Sequence, residues 1–119
     1  MDTAAEHVVF DASVLGAMFG DETALIASVL QTFTDGTRAN LAELTRAIGA
    51  QDFSAVAALA HKIAGASRMS GALALGDCAR KLELATKRGE VATLAQDFAA
   101  LEAQWALAQD AIARHSGRP

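Results

Sequence analysis

The chain has 119 residues and a formal net charge of −4, and hydrophobic residues make up 52% of it. This length and apolar content fit a single domain with its own core, whereas the acidic charge argues against a nucleic-acid-binding surface. The single cysteine excludes an internal disulfide, and no run approaches the roughly 18 apolar residues that a membrane span requires.

The spacing of apolar residues predicts helices throughout the chain, in keeping with its alanine-rich and leucine-rich composition. The first helix, over 11–18, has Asp11 as its candidate N-cap. The second begins at Asp21, also a candidate N-cap, and ends at Gly49. Gly36 interrupts its apolar pattern, so a bend is expected there.

Three further helices complete the predicted fold. Asp52 is the candidate N-cap of the third, over 53–69; the fourth covers 73–88, and the fifth carries apolar residues over 91–112 before it frays. Because every connection is short, sequential helices should pack antiparallel. The sequence therefore predicts an all-α fold: an antiparallel up-down-up-down four-helix bundle with a short extra N-terminal helix.

One domain is expected over residues 1–119, with its core at about 10–112. Trp105 and the phenylalanines are expected in that core. Cys78 is expected to be a small buried hydrophobe, because leucines surround it in the sequence.

The third helix carries a histidine outside its apolar stripe. At about 100° per residue, His61 points away from Val56 and Ile63. The side chains predicted beside it on the exposed face are small apart from Arg68, and they are Ser54, Ala57, Ala58, Ala64 and Gly65. A glycine inside a helix costs about 1 kcal/mol relative to alanine, so Gly65 suggests close approach by a partner. The alternative is that these small residues only reflect an alanine-rich chain.

Other catalytic constellations are missing from the sequence. No glycine-rich phosphate loop follows a strand, and no histidine and cysteine cluster has metal-ligand spacing, so neither nucleotide nor metal is expected. His7 and His115 lie near the termini, where partial disorder is common. Carboxylates such as Asp77 and Glu83 are expected on the solvated surface.

An accessible neutral imidazole is a competent nucleophile toward a phosphoryl group. Attack by His61 would form phosphohistidine, and Arg68 or Lys62 could stabilise the phosphoryl charge. The helix offers no other machinery, so the donor must bring its own metal and activated phosphate.

The segment AHKIAGAS at 60–67 is followed by Gly71-Ala72, Leu75, Cys78 and Leu82-Glu83. This pattern resembles the histidine phosphotransfer (HPt) domains of bacterial multistep phosphorelays, and the resemblance extends over about residues 10–112.

The resemblance implies a helical bundle with His61 as an exposed phosphoacceptor. Such domains take a phosphoryl group from a receiver-domain aspartate and pass it to the aspartate of another receiver. They bind no nucleotide or cofactor, and the receiver supplies Mg²⁺. The implied partners are response-regulator receiver domains and a hybrid sensor kinase. A cytoplasmic location without direct membrane contact is expected from the single cysteine and the lack of a long apolar run, and a monomer is expected because no feature demands a dimer. The chain would be either free-standing or the C-terminal module of a membrane-bound kinase.

One position departs from the family pattern: where a lysine is usual three residues after the histidine, this chain has Ala64. Arg68 or Lys62 would then take over the electrostatic role, and we expect Arg68→Ala to slow transfer more than Lys62→Ala. The expected docking residues for the receiver are Gly65, Ala64, Ala57, Ala58, Met18 and Met69.

Two alternatives are open at this point. The chain could be a non-phosphorylated helical docking scaffold for a receiver or kinase, for which Ala64 is the only hint. It could also be a small autokinase, although the sequence lacks a nucleotide site. The leading interpretation is a phosphotransfer intermediate rather than an independent enzyme.

Overall fold

A computed structural model describes residues 8–116 of the chain. The helices are α1 (Ser13–Phe19), α2 (Thr23–Gly49), α3 (Phe53–Ser70), α4 (Leu73–Lys87) and α5 (Leu94–His115). No strand occurs among the described residues, so the predicted all-α fold with a short N-terminal helix is confirmed. Within the same residues, no helix has the length and apolar character needed to cross a membrane.

The structure confirms only some of the predicted N-caps. Asp52 caps α3 as expected, because its Oδ1 accepts a hydrogen bond from the Ala55 amide at 3.2 Å. Asp11 accepts from the Ser13 amide at 3.0 Å, although α1 begins two residues later than predicted. The prediction for Asp21 is wrong: α2 begins at Thr23, and no side chain caps it.

Other boundaries differ where local patterns were ambiguous. Helix α2 runs unbroken through Gly36, and α5 begins at Leu94 because Val91 lies in the preceding turn. His115 is the last residue of α5, and its ring packs edge-on against Phe10 with centroids 5.3 Å apart. The expected disorder at His115 is therefore wrong, whereas His7 lies outside the described residues.

The core is built by all five helices. Its largest fully buried apolar side chains are Leu15, Leu44, Val56, Ile63, Leu75, Leu82 and Leu101. Full burial of such a side chain contributes about 1.5–3 kcal/mol. Trp105 is buried against Phe33, with ring centroids 5.8 Å apart, so it joins α5 to α2 as a core residue. The remaining phenylalanines and Cys78 are partly buried against this core.

Helices α3 and α4 pack closely and run in opposite directions. Near the start of α4, a Cβ built on Gly76 would lie 3.5 Å from the Ala64 carbonyl oxygen of α3. At the other end, Lys87 lines the same groove as Ser54. This close approach brings a face of α4 against the predicted exposed face of α3.

The turn between α3 and α4 is held by the segment that precedes α1. Gly71 ends α3 with φ 92°, a left-handed conformation that favours glycine. Its carbonyl accepts from the Asp11 amide at 2.8 Å, and the Ala74 amide donates to the Val8 carbonyl at 2.8 Å. These bonds hold α1 against the end of α3.

Candidate functional site

His61 lies on the outer face of α3, and its side chain is 71% exposed. Val56 and Ile63, on the opposite side of the helix, are fully buried. Ser54, Ala58, Gly65 and Arg68 are exposed on the same face as His61. The predicted exposure of this histidine is therefore confirmed.

The exposed face is narrower than the sequence predicts. Ala57 and Ala64 are only 8% and 3% exposed, so their placement beside His61 on the open face is wrong. The reason is α4, which packs against α3: Ala57 lines one groove with Glu83, and the Ala64 carbonyl oxygen lies against Gly76. The small exposed residues near His61 are instead Ala58 and Gly65.

The imidazole of His61 is oriented by a carboxylate from α4. His61 Nδ1 lies 2.9 Å from Oε2 of Glu83, a residue 22 positions away with a fully buried side chain. The prediction that Glu83 belongs to the solvated surface is therefore wrong. Asp77, by contrast, is half exposed as predicted.

Glu83 is buried as an ion because cations surround it. Arg80 Nη1 donates to Oε1 at 3.0 Å, and Lys87 Nζ donates to Oε2 at 2.8 Å. Burial raises the pKa of Glu83, but hydrogen bonds from Lys87, Arg80 and His61 together outweigh burial and lower the pKa from 4.5 to about 2. Glu83 is therefore ionised at neutral pH.

An ionised carboxylate can only accept hydrogen bonds, and this fixes the imidazole tautomer. His61 Nδ1 must carry the proton that it donates to Glu83. In the neutral ring, Nε2 then holds the lone pair. A neutral His61 would thus present the lone pair of Nε2, on an exposed side chain, for reaction with an electrophile.

Arg68 and Lys62, the two cations predicted to assist His61, differ from each other in their surroundings. Arg68 Nη2 lies 3.6 Å from Asp77 Oδ1, which forms a half-exposed ion pair between α3 and α4. Lys62 is exposed on α3, about 100° around the helix from His61. Across residues 8–116, no group of histidine, cysteine or acidic side chains is arranged to hold a metal ion.

Two grooves flank the outer face of α3. One, of about 580 Å³, contains His61 and is lined by Phe53, Ser54, Ala57, Ala58, Glu83, Thr86 and Lys87. The other, of about 400 Å³, lies between α1, α2 and α3 and is mainly apolar. Met18 and Met69 line it and are 50% and 65% exposed, so this groove opens beside the histidine helix.

The family model described as the Hpt domain matches residues 28–112, which include α3 and the whole His61–Glu83 contact. The chain belongs to the Hpt domain family. No curated protein matches this Hpt domain in sequence.

A solved structure is similar to this Hpt domain over nearly its whole length. It is the crystal structure of histidine-containing phosphotransfer protein B (HptB) from Pseudomonas aeruginosa PAO1. The TM-score is 0.86 at 24% sequence identity, and the match covers 95% of this chain and 98% of that one. This likeness establishes the helical-bundle fold. Membership of the Hpt family assigns the domain a histidine phosphotransfer role with receiver domains as partners.

Sequence reasoning identified His61 but missed the group that orients it. A usable signal was present in α4, because Glu83 lies at the edge of the stripe formed by Leu75, Ala79 and Leu82. Basic residues at the i−3 and i+4 positions from it, Arg80 and Lys87, are spaced to pair with a carboxylate on the same helix. This pattern was therefore sufficient to predict a buried glutamate whose charge is balanced by two basic residues of the same helix.

Proposed function

We propose that His61 is the phosphoacceptor of this Hpt domain, accepting a phosphoryl group from a receiver-domain aspartate and passing it to another receiver aspartate. The observation that carries the proposal is the hydrogen bond of Nδ1 to a buried, ionised Glu83. This bond leaves Nε2 of an exposed ring as the nucleophile.

The proposed step is a transfer between an acyl phosphate and an imidazole. The Nε2 lone pair of His61 attacks phosphorus, so an N–P bond forms while the P–O bond to aspartate breaks. The aspartate leaves as a carboxylate, and the ring, with its proton still on Nδ1, becomes positively charged. The Glu83 carboxylate faces that charge and stabilises it. Transfer to the next receiver is the reverse step.

The receiver is proposed to dock on the open side of α3. A Cβ built on Gly65 would have no described heavy atom within 4 Å apart from its own helix backbone and chain neighbours, so packing within the chain does not demand glycine there. Ala58 lies near His61 on the same exposed face, and Met18 and Met69 border the apolar groove. This surface combines a reachable imidazole with apolar side chains that a partner could bury.

The chain would act as a monomeric transfer intermediate in the cytoplasm, and its donor would be a hybrid sensor kinase. The receiver would supply Mg²⁺ and the activated phosphate, since the proposed chemistry at His61 uses only a lone pair and a nearby carboxylate.

The test uses a receiver domain from the same organism, charged with labelled phosphate in Mg²⁺ and mixed with the full chain. We expect label on the chain that is lost in acid and retained in alkali, as phosphohistidine requires. Absence of label with every receiver tried would overturn the proposal and favour a docking scaffold that is not phosphorylated.

Two substitutions of Gly65 should distinguish its effect on stability from its effect on phosphotransfer. Because alanine is a better helix former, Gly65→Ala should raise the free energy of unfolding by about 1 kcal/mol. A long side chain there would occupy the docking surface, so Gly65→Gln should slow transfer by about tenfold or more. Urea unfolding and timed transfer measure the two effects. Ala103→Gln, on the exposed side of α5, is the control and should transfer at the wild-type rate. Fast transfer by Gly65→Gln would contradict docking at this position.

Glu83→Gln should slow phosphotransfer by about tenfold, because an amide can offer either oxygen or nitrogen to His61 and carries no charge. The wild-type ring should show the Nδ1–H tautomer by ¹⁵N NMR, and the variant should show a mixture. Glu102→Gln on α5 serves as the control. Wild-type transfer by Glu83→Gln would show that the carboxylate has no role in orienting the ring.

The same variant tests the electrostatics of folding. Since the pKa of Glu83 in the folded protein is below its ordinary value, the ionised group stabilises the fold fully above pH 4.5 and less as the pH falls toward about 2. A shift of this size corresponds to at most about 3 kcal/mol, reduced by solvent around Arg80 and Lys87. The urea midpoint of Glu83→Gln should therefore fall less steeply with acid than that of the wild type.

A further inference from the structure

The position that carries lysine in the family pattern cannot supply a cation in this chain. That position holds an alanine, Ala64, which is buried under α4. Arg68 lies seven residues, about 10 Å, further along α3 and pairs with Asp77 at 3.6 Å, and Lys62 lies about 100° around the helix from His61. A cation from a neighbouring helix is therefore better placed to meet the phosphoryl group proposed on His61.

The cluster around Glu83 already contains a surplus of positive charge. Arg80 and Lys87 both pair with the single Glu83 carboxylate, and the neutral imidazole that nucleophilic attack requires adds no charge. The unphosphorylated site thus has one more positive charge than negative charge. In phosphohistidine, a phosphoryl group of nearly two negative charges sits on a ring of one positive charge. Adding that net negative charge makes the site close to neutral.

The two cations are not equivalent in position. Lys87 Nζ binds Oε2, the same oxygen that accepts from His61 Nδ1, whereas Arg80 binds Oε1. Lys87 also lines the groove that contains His61, together with Ser54 and Thr86. Arg80 lines a different groove, on the side of α4 that faces α5.

The direction of α3 favours Lys87 as well. Side chains on a helix lean toward its N-terminus, so the His61 ring leans toward Ala57 and Ala58. These alanines and Ser54 form the groove wall opposite Lys87. Lys87 is more than half exposed on a flexible four-carbon stem, so its ammonium group can move within this groove.

We propose that Lys87 binds the phosphoryl group of phosphorylated His61. It would take the role of the lysine that the family carries at the position of Ala64. When the N–P bond forms, the Lys87 ammonium group moves from Glu83 Oε2 to the phosphoryl oxygens. Glu83 keeps its bonds to Arg80 and to His61 Nδ1–H, so the ring stays oriented. The inference rests on the proposed phosphorylation of His61 and names the cation that stabilises its product.

The experiment compares Lys87→Met with Arg80→Met in the full chain. Each variant removes one hydrogen bond and one positive charge from Glu83, so a role in supporting Glu83 alone would affect both similarly. Lys81→Met, an exposed lysine change on the same helix, controls for net charge. Transfer from a labelled receiver is timed, and the pH titration of the phosphoryl group is followed by ³¹P NMR.

We expect Lys87→Met to slow transfer to His61 by about tenfold, less than for a buried oxyanion donor because Lys87 is exposed to solvent. Only this variant should raise the pH at which the phosphoryl group takes up its proton, and Lys87→Arg should restore both readouts. Equal effects of Lys87→Met and Arg80→Met, or none from Lys87→Met, would overturn the inference. Failure of the wild type to take label would instead overturn the proposed function.

Discussion

Replacing His61 by glutamine is expected to reduce phosphoryl uptake to the background of the assay while the fold is kept. The amide nitrogen of glutamine has no available lone pair, so the nucleophile is lost. Glutamine can still donate a hydrogen bond to Glu83, and position 61 is exposed, so packing changes little. Labelling from a phosphorylated receiver measures the loss, and circular dichroism with urea unfolding checks the fold.

His115→Gln is the matched control, because it replaces a second described histidine, at the end of α5. Its labelling should equal that of the wild type. The Glu83 hydrogen bond also predicts the atom: the phosphoryl group should be attached at Nε2, which NMR distinguishes from Nδ1. Label on the His61→Gln variant, or attachment at Nδ1, would contradict the assignment of His61 and its tautomer.

The exposure of His61 was predictable because it depends on one helix alone. The apolar residues of α3 define a buried stripe, and helical geometry then places the histidine opposite it. The cap at Asp52 was predictable for the same reason, since its bond to Ala55 spans three residues. Local periodicity and capping chemistry are sufficient for such features.

The partner of His61 was not predicted, because it depends on how two helices meet. Glu83 is 22 residues away, and its contact with Nδ1 requires the particular approach of α4 to α3. The burial of Ala57 and Ala64 has the same origin. Periodicity gives each residue an angle on its own helix, but the neighbouring helix determines how much of that face is covered.

Contacts between helices also determine which charged groups reach His61, as the lysine missing at position 64 shows. On the helix that carries His61 and Ala64, the sequence offers only Arg68 and Lys62 as replacements for the lysine. The structure adds Lys87 from α4, joined to His61 through one oxygen of Glu83. A charge required at a site can come from any element that packs there, so it need not lie on the helix that carries the histidine.

Gly71→Ala is expected to cost about 3 kcal/mol of folding stability, a large loss for one methyl group. Two costs combine. Alanine disfavours the left-handed conformation at φ 92° by about 1 kcal/mol. In addition, a Cβ at this position would overlap the Asp11 carbonyl oxygen, a backbone atom that cannot move without its neighbours. Relief of the overlap would break the bonds from Asp11 to Gly71 and from Ala74 to Val8.

Gly89→Ala carries only the first cost, the left-handed conformation, and so serves as the reference for Gly71→Ala. Gly89 also has a positive φ, of 75°, but a Cβ built there meets no described heavy atom within 4 Å beyond its chain neighbours. It should lose only about 1 kcal/mol in urea unfolding, so the difference between the variants measures the contact with Asp11. Equal losses would mean that the segment before α1 shifts without cost. A larger loss of stability for Gly71→Ala would show that this segment holds the end of α3 in place. It would then also hold Met18 beside Met69.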